Sequence, residues 1–154
     1  MRARLKHWWY EVTEFVKNCL VYNRKNFMRC YRLSTAGWEN DIEKIPLMIE
    51  GCSDKNPFVR EAASGALHRL VERNEQQLET FLPLLLPARE VLIKLIWDHP
   101  SEGAARHAVI ALGCFDDGSS DEIRRVMWFA MTTRDSMGAV EARKFLVGRD
   151  LIRL

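Results

Sequence analysis

Four histidines (His7, His68, His99 and His107) and four cysteines (Cys19, Cys30, Cys52 and Cys114) are the residues whose types could support nucleophilic, acid–base or metal chemistry. Their spacing supports little of it. No His-Glu-x-x-His run and no Cys-x-x-Cys pair occurs, so no metal site is written locally. A Cys–His nucleophilic pair needs only closeness in space, and nothing in the order of the residues favours one. Asp116-Asp117-Gly118-Ser119-Ser120-Asp121 has the acidic look of a calcium loop. It lacks acidic ligands at alternating positions, and its twelfth residue is Met127 instead of a bidentate glutamate. P-loop, GxGxxG and GxSxG signatures are missing. His68 shares a helical face with Ser64 and Glu72, and an acid–base role there would need a pocket and a strongly shifted pKa. The sequence therefore predicts no catalytic residue, no metal and no cofactor, and it turns the question towards recognition.

Helices must position these side chains. The clearest ones lie between Asn40 and Asn74. Ile42, Ile45, Met48, Ile49 and Cys52 form one stripe of a 3.6-residue period. Ser53-Asp54-Lys55-Asn56-Pro57 then makes a polar turn, with a proline suited to the first turn of the next helix. Val59, Ala62, Ala63, Ala66, Leu67, Leu70 and Val71 form the second stripe. Neither short helix can bury its stripe alone, so the two must pack on each other and on neighbours. The small residues Ala62, Ala63, Gly65 and Ala66 would let helices approach closely.

Ile45-Pro46-Leu47-Met48-Ile49, Asp54, Pro57, Val59-Arg60, Ala62-Ala63 and Ala66-Leu67 together resemble one HEAT repeat. The resemblance implies an all-α fold, a short HEAT-like solenoid. It also implies that Asp54 and Arg60 help order the stacked turns. It says almost nothing about activity.

The remaining chain carries weaker versions of the same pattern. Leu78, Phe81, Leu82, Leu85 and Leu86 share a face, with Pro83 and Pro87 leaving one kinked helix or two short ones open. Val91, Leu92, Leu95 and Ile96 predict a helix that ends at Asp98-His99-Pro100. Ser101 is read as the N-cap of a helix to about Cys114, striped by Ala104, Ala105, Ala108, Val109 and Leu112. Ala108 and Leu112 repeat Ala63 and Leu67 at an offset of 45 residues. In that alignment Ala105 replaces Arg60, so an Asp98–Arg106 ladder is doubtful. Ser119-x-x-Glu122 reads as a capping box, opening a helix through Ile123, Val126, Met127, Ala130 and Met131. A last helix from about Ser136 holds Ala139, Ala142, Phe145 and Leu146, and the apolar tail to Leu154 is expected to dock. This makes about three helical pairs.

An N-terminal helical cap precedes them. Leu5, Trp8, Trp9, Val12, Phe15, Val16, Cys19 and Leu20 predict a helix over 3–22, either closing the first repeat or exposing an aromatic surface. A shorter helix over 24–33 would turn Phe27, Met28 and Tyr31 inward and gather Lys25, Arg29 and Arg32 into a basic stripe. Ser34-Thr35-Ala36-Gly37 reads as a helix stop, with Trp38 anchoring the entry to the central repeat.

The 154 residues are enough for one domain with a sizeable core. The net charge of +2 hides an asymmetry. Residues 1–38 carry eight Lys or Arg and two Glu, whereas 39–154 carry fifteen and nineteen Asp or Glu. A basic N-terminal piece thus precedes a mildly acidic repeat body. Most of the cysteines fall on apolar stripes and read as buried free thiols of a reducing cytoplasm. The N-terminus does not read as a signal peptide, and charge-free runs fall far short of the ~20 residues of a membrane span. The expected location is cytoplasmic.

These features predict a non-catalytic protein-interaction module. Its expected contacts on the second helices of the pairs are Glu61, Ser64, His68 and Glu72, then Arg106 and His107, then Glu141. A short chain of this build would fit an inhibitor or immunity-type protein that masks a toxin or an enzyme. The alternative is phosphate-backbone binding through Lys25, Arg29 and Arg32, joined by Arg60, Arg106 and Arg124-Arg125. By resemblance, an enzyme or an enzyme-accessory protein is a third class, but no residue set presents itself for it.

Overall fold

The computed structural model describes residues 24–116 and 118–152. The expected helix over 3–22, with Trp8 and Trp9, lies outside the described residues, as do Asp117 and the last two residues. Eight α-helices follow one another among the described residues: α1 (Arg24–Trp38), α2 (Ile45–Cys52), α3 (Pro57–Arg73), α4 (Leu78–Leu85), α5 (Ala88–Asp98), α6 (Gly103–Phe115), α7 (Asp121–Thr132) and α8 (Ala139–Gly148). They pair as α2–α3, α5–α6 and α7–α8, and α1 packs on α3 ahead of the first pair. The second helices α3, α6 and α8 continue the layer begun by α1. The first helices α2, α5 and α7 form the other layer. Short α4 bridges α2 and α5. The result is a HEAT-like stack of three pairs.

Local chemistry accounts for the boundaries. Asp54 accepts the backbone N–H of Asn56 at 2.8 Å, and the Asn56 amide oxygen accepts that of Phe58 at 2.9 Å. Two successive side chains thus close the turn and cap α3, while Pro57 loses nothing at the first helical position. The proline-rich stretch resolves into two helices. Pro83 is tolerated late in α4, and the break falls at Leu86-Pro87.

The buried apolar residues form one continuous core, from Cys30 and Leu33 of α1 to Phe145 and Leu146 of α8. Ile45, Met48, Val59, Leu67, Leu70, Leu112, Ile123 and Met127 are fully buried within it. Close helix approach depends on small residues. A Cβ added at Gly37 would lie 2.7 Å from the Ala66 Cα, and one at Gly51 would lie 2.7 Å from the Ala63 Cβ.

Several expectations need correction. Residues 34–37 do not stop a helix: α1 runs through them to Trp38, and Ala36 and Gly37 are buried against α3. The reversal comes later, at Asn40 with φ 58°, where Asp41 N–H bonds back to Ala36 O at 3.0 Å. Phe27, Met28 and Tyr31 face outward, and the core face of α1 is Cys30, Leu33, Ala36 and Gly37. Trp38 is exposed, with the guanidinium groups of Arg69 and Arg73 over its ring at 4.9 and 5.0 Å. Ser101 is not a cap, since α6 starts from Glu102, whose carboxylate is engaged elsewhere. The predicted capping box is not formed either. Ser120 holds the N-cap position of α7, and both its hydroxyl and the Glu122 carboxylate accept from Arg89.

Candidate functional site

A ladder of charge-assisted contacts joins each helix of the α1–α3–α6–α8 layer to the next pair. Arg29 of α1 reaches Asp54 at 2.5 Å. Arg60 of α3 is buried and uses three of its nitrogens. Nη1 donates to the carbonyls of Asp54 and Lys55 at 2.7 and 3.0 Å, while Nε and Nη2 form a fork on the Glu102 carboxylate at 2.9 and 2.5 Å. Arg106 of α6 approaches Glu141 of α8 at 3.7 Å. Asp54 and Arg60 therefore do order the turns, and Glu102 supplies the acid at the second step in place of Asp98. The opposite ends are tied as well. Arg73 donates to Trp38 O, Asn40 and Asn74 exchange amide hydrogen bonds, and Arg149 donates to Gly113 O at 2.8 Å.

This ladder fixes α3 and α6 side by side and brings His68 and His107 together, Nδ1 to Nδ1, at 3.0 Å. One ring donates and the other accepts. Their centroids are 5.3 Å apart, tilted by 36°. The His107 ring packs over Gly65, where an added Cβ would sit in ordinary van der Waals contact at 3.5 Å. Burial lowers both pKa values, and at His107 burial together with the neighbouring His68, Arg69 and Arg106 brings the value down to about 4. Glu72 acts in the opposite sense on His68, from 3.6 Å. Both shifts favour the neutral rings.

A hollow of about 280 Å³ opens beside it on the same layer, between Ser34 of α1, Phe58, Glu61 and Arg69 of α3 and His107 of α6. The Arg69 Nη1 is buried there without a hydrogen-bond partner among the described residues. Glu61 is exposed, and its carboxylate lies over the first turn of α6, where a Cβ at Gly103 would meet it. An anion is favoured at that helix end.

The expected contacts thus divide. Glu61, His68, Glu72, Arg106 and His107 lie on the outward side of one helical layer, and of these Glu61 and His107 line the hollow. Ser64 does not join them. It is fully buried at the α3 interface, its hydroxyl donating to Glu61 O at 3.2 Å. Lys25 and Arg32 are exposed on α1, but the third member of that stripe, Arg29, is committed to Asp54, and Arg60 is buried. Arg69 and Ser34 were not legible as site residues. Arg69 stands at the helical spacing of an ordinary solvated arginine, and Ser34 stands in a Ser-Thr-Ala-Gly run whose composition suits a loop.

Burial disfavours the thiolates of Cys52 and Cys114. It pushes Cys52 up to about 12 and raises Cys114. Cys52 and Cys114 are free thiols. Asp116 is spent on structure, accepting from Gly118 N–H at 2.9 Å and pairing with Arg89 at 3.2 Å. Among the described residues no helix is long and apolar enough to cross a membrane.

Comparison with known proteins agrees with this geometry. No curated protein and no solved structure matches the chain. The family model of the HEAT repeat, a unit that generally serves protein–protein interaction, matches residues 45–73. That span covers α2, the Asp54–Pro57 turn and α3, so over this segment the chain is HEAT-like, and the pairs stacked on it extend the same architecture.

Proposed function

We propose that this chain is a non-catalytic protein-interaction module that takes its partner on the α1–α3–α6–α8 layer, centred on His68 and His107. The observation that carries the reading is the hollow beside that pair. It combines neutral, half-buried rings, an unsatisfied Arg69 nitrogen and exposed Glu61, with Glu72 and Arg106 close by. Desolvated aromatic and guanidinium groups ringed by charge are what a protein partner can use as anchors. The acidic balance of residues 39–154 favours a basic partner surface.

The small size and rigid stacking fit an inhibitor or immunity-type protein that masks a toxin or an enzyme. The continuous core supports reading the chain as a single repeat domain. The free thiols of Cys52 and Cys114 fit a reducing, cytoplasmic setting. Nucleic-acid binding is the weaker reading, because Arg29 and Arg60 are both engaged internally.

The test is affinity capture from host lysate at low and high salt, using the native chain, a His107→Asp variant and a Lys94→Asp variant. Lys94 is exposed on α5 in the other layer. One stoichiometric protein, retained at high salt, lost with His107→Asp and kept with Lys94→Asp, is the expected result. Nucleic acid released by salt, with a log–log slope of about −0.9 per phosphate, would replace the protein reading.

A further inference from the structure

We propose that a groove along α7, in the layer opposite the proposed partner face, binds small aromatic anions. A planar ring would lie against the indoles of Trp97 and Trp128, and a sulfonate, carboxylate or phosphate would lie on Arg125. The groove encloses about 660 Å³, within the ~300–1,000 Å³ of small-molecule sites. One stripe of α7 lines it, through Asp121, Arg124, Arg125 and Trp128. That stripe is opposite the buried face of Ile123, Val126, Met127 and Ala130.

The aromatic wall is built. Trp97 of α5 packs on Phe129 at 4.2 Å between ring centroids, yet Trp97 remains 43% and Trp128 51% exposed. The chain after α8 returns as the remaining wall. Leu151 N–H bonds to Leu146 O at 2.9 Å, and Leu151 and Ile152 face the groove. Two indoles open to water on one groove leave flat apolar surface that a planar ligand would cover.

Charge selects the sign of that ligand. The Asp121 carboxylate is answered by Arg124, with which it pairs. Arg125 makes no ion pair among the described residues, so the groove keeps one surplus cation beside its indoles. A flat ring carrying one negative group satisfies both features, the ring by stacking and the anion by charge-assisted hydrogen bonds. A neutral ring would satisfy only the first.

The experiment is an NMR titration of the full chain with naphthalene-1-sulfonate, read at the indole Nε1–H signals. Trp97 and Trp128 should shift saturably while Trp38, on the other layer, stays in place. Arg125→Glu and Trp128→Ala should each weaken binding by about tenfold or more, and neutral 1-naphthalenemethanol should bind more weakly by a similar factor. Both substituted side chains are exposed, and an unchanged Trp38 signal reports that each variant is folded. Parallel movement of Trp38, failure to saturate at millimolar probe, or an affinity unaffected by Arg125→Glu would each overturn the proposal.

Discussion

Arg60 orders two turns at once, because its guanidinium bonds to both. Four contacts on one buried group leave no spare donor geometry for a lysine to reproduce. Arg60→Met would leave the Glu102 carboxylate and the carbonyls of Asp54 and Lys55 without their partner. The expected loss is about 3 kcal/mol, read as a lowered urea midpoint with an unchanged slope. The histidine pair makes a different prediction, in pH. Both rings have folded pKa values below the ordinary 6.5, because the charged form is disfavoured by burial and by Arg69 and Arg106, with Glu72 and Glu141 opposing at His68. The unfolded chain therefore binds protons first as pH falls, and stability declines from about pH 6.5 towards the His107 value of about 4. Below that value no further loss comes from this ring. His107→Phe should flatten this part of the stability profile, as measured by urea melts at pH 7, 6, 5 and 4.

At the scale of elements, the packing rests on close approach between α1, α2 and α3. Leu67 is 1% exposed, between the stacked pairs, and Leu67→Ala should cost about 2–5 kcal/mol. Gly37→Ala places a methyl 2.7 Å from the Ala66 Cα. Backbone cannot yield as a flexible side chain does, so α1 must shift away, at about 1–3 kcal/mol. Both losses are readable by thermal melting. These two residues also mark where sequence patterns were informative and where they were not. Leu67 belongs to a long stripe of period 3.6, a signal written within seventeen consecutive residues of α3, and the repeat could be read from it. Gly37 follows Ser-Thr-Ala, a composition that equally describes a loop. Only the backbone of Ala66, twenty-nine positions on, explains why a helix carries a glycine there. The inward face of α1 is hidden from the sequence for the same reason, since Phe27, Met28 and Tyr31 outweigh small residues in any local count. Likewise, Ser64 looked like a surface residue because it is polar. Its burial follows from the crowding of α3 between α1 and α6, and its hydroxyl is satisfied within its own helix. The His68–His107 contact spans thirty-nine positions and has no local signature.

Across the whole molecule, the same device recurs with different residues. Arg29–Asp54, Arg60–Glu102 and Arg106–Glu141 link successive pairs on one side, while Arg73 and Arg149 close carbonyls at the other ends. The links weaken along the stack, from a buried fork at Arg60 to a 3.7 Å approach at Arg106. Nearest-neighbour coupling of this kind predicts graded protection in native-state hydrogen exchange, highest in α3 and lower in α8. Uniform protection from α1 to α8 would point instead to one indivisible cooperative unit. A rigid layer held in this way presents a fixed set of side chains, which suits recognition of a preformed surface.

The most direct test of that recognition is site-specific photo-cross-linking in the native host. A benzophenone amino acid replaces exposed Glu72 in one experiment and exposed Lys94 in another, and adducts are resolved by mass. One discrete protein adduct from position 72, with none from position 94, is the predicted result. An adduct from position 94 alone would move the partner to the opposite layer and contradict the account.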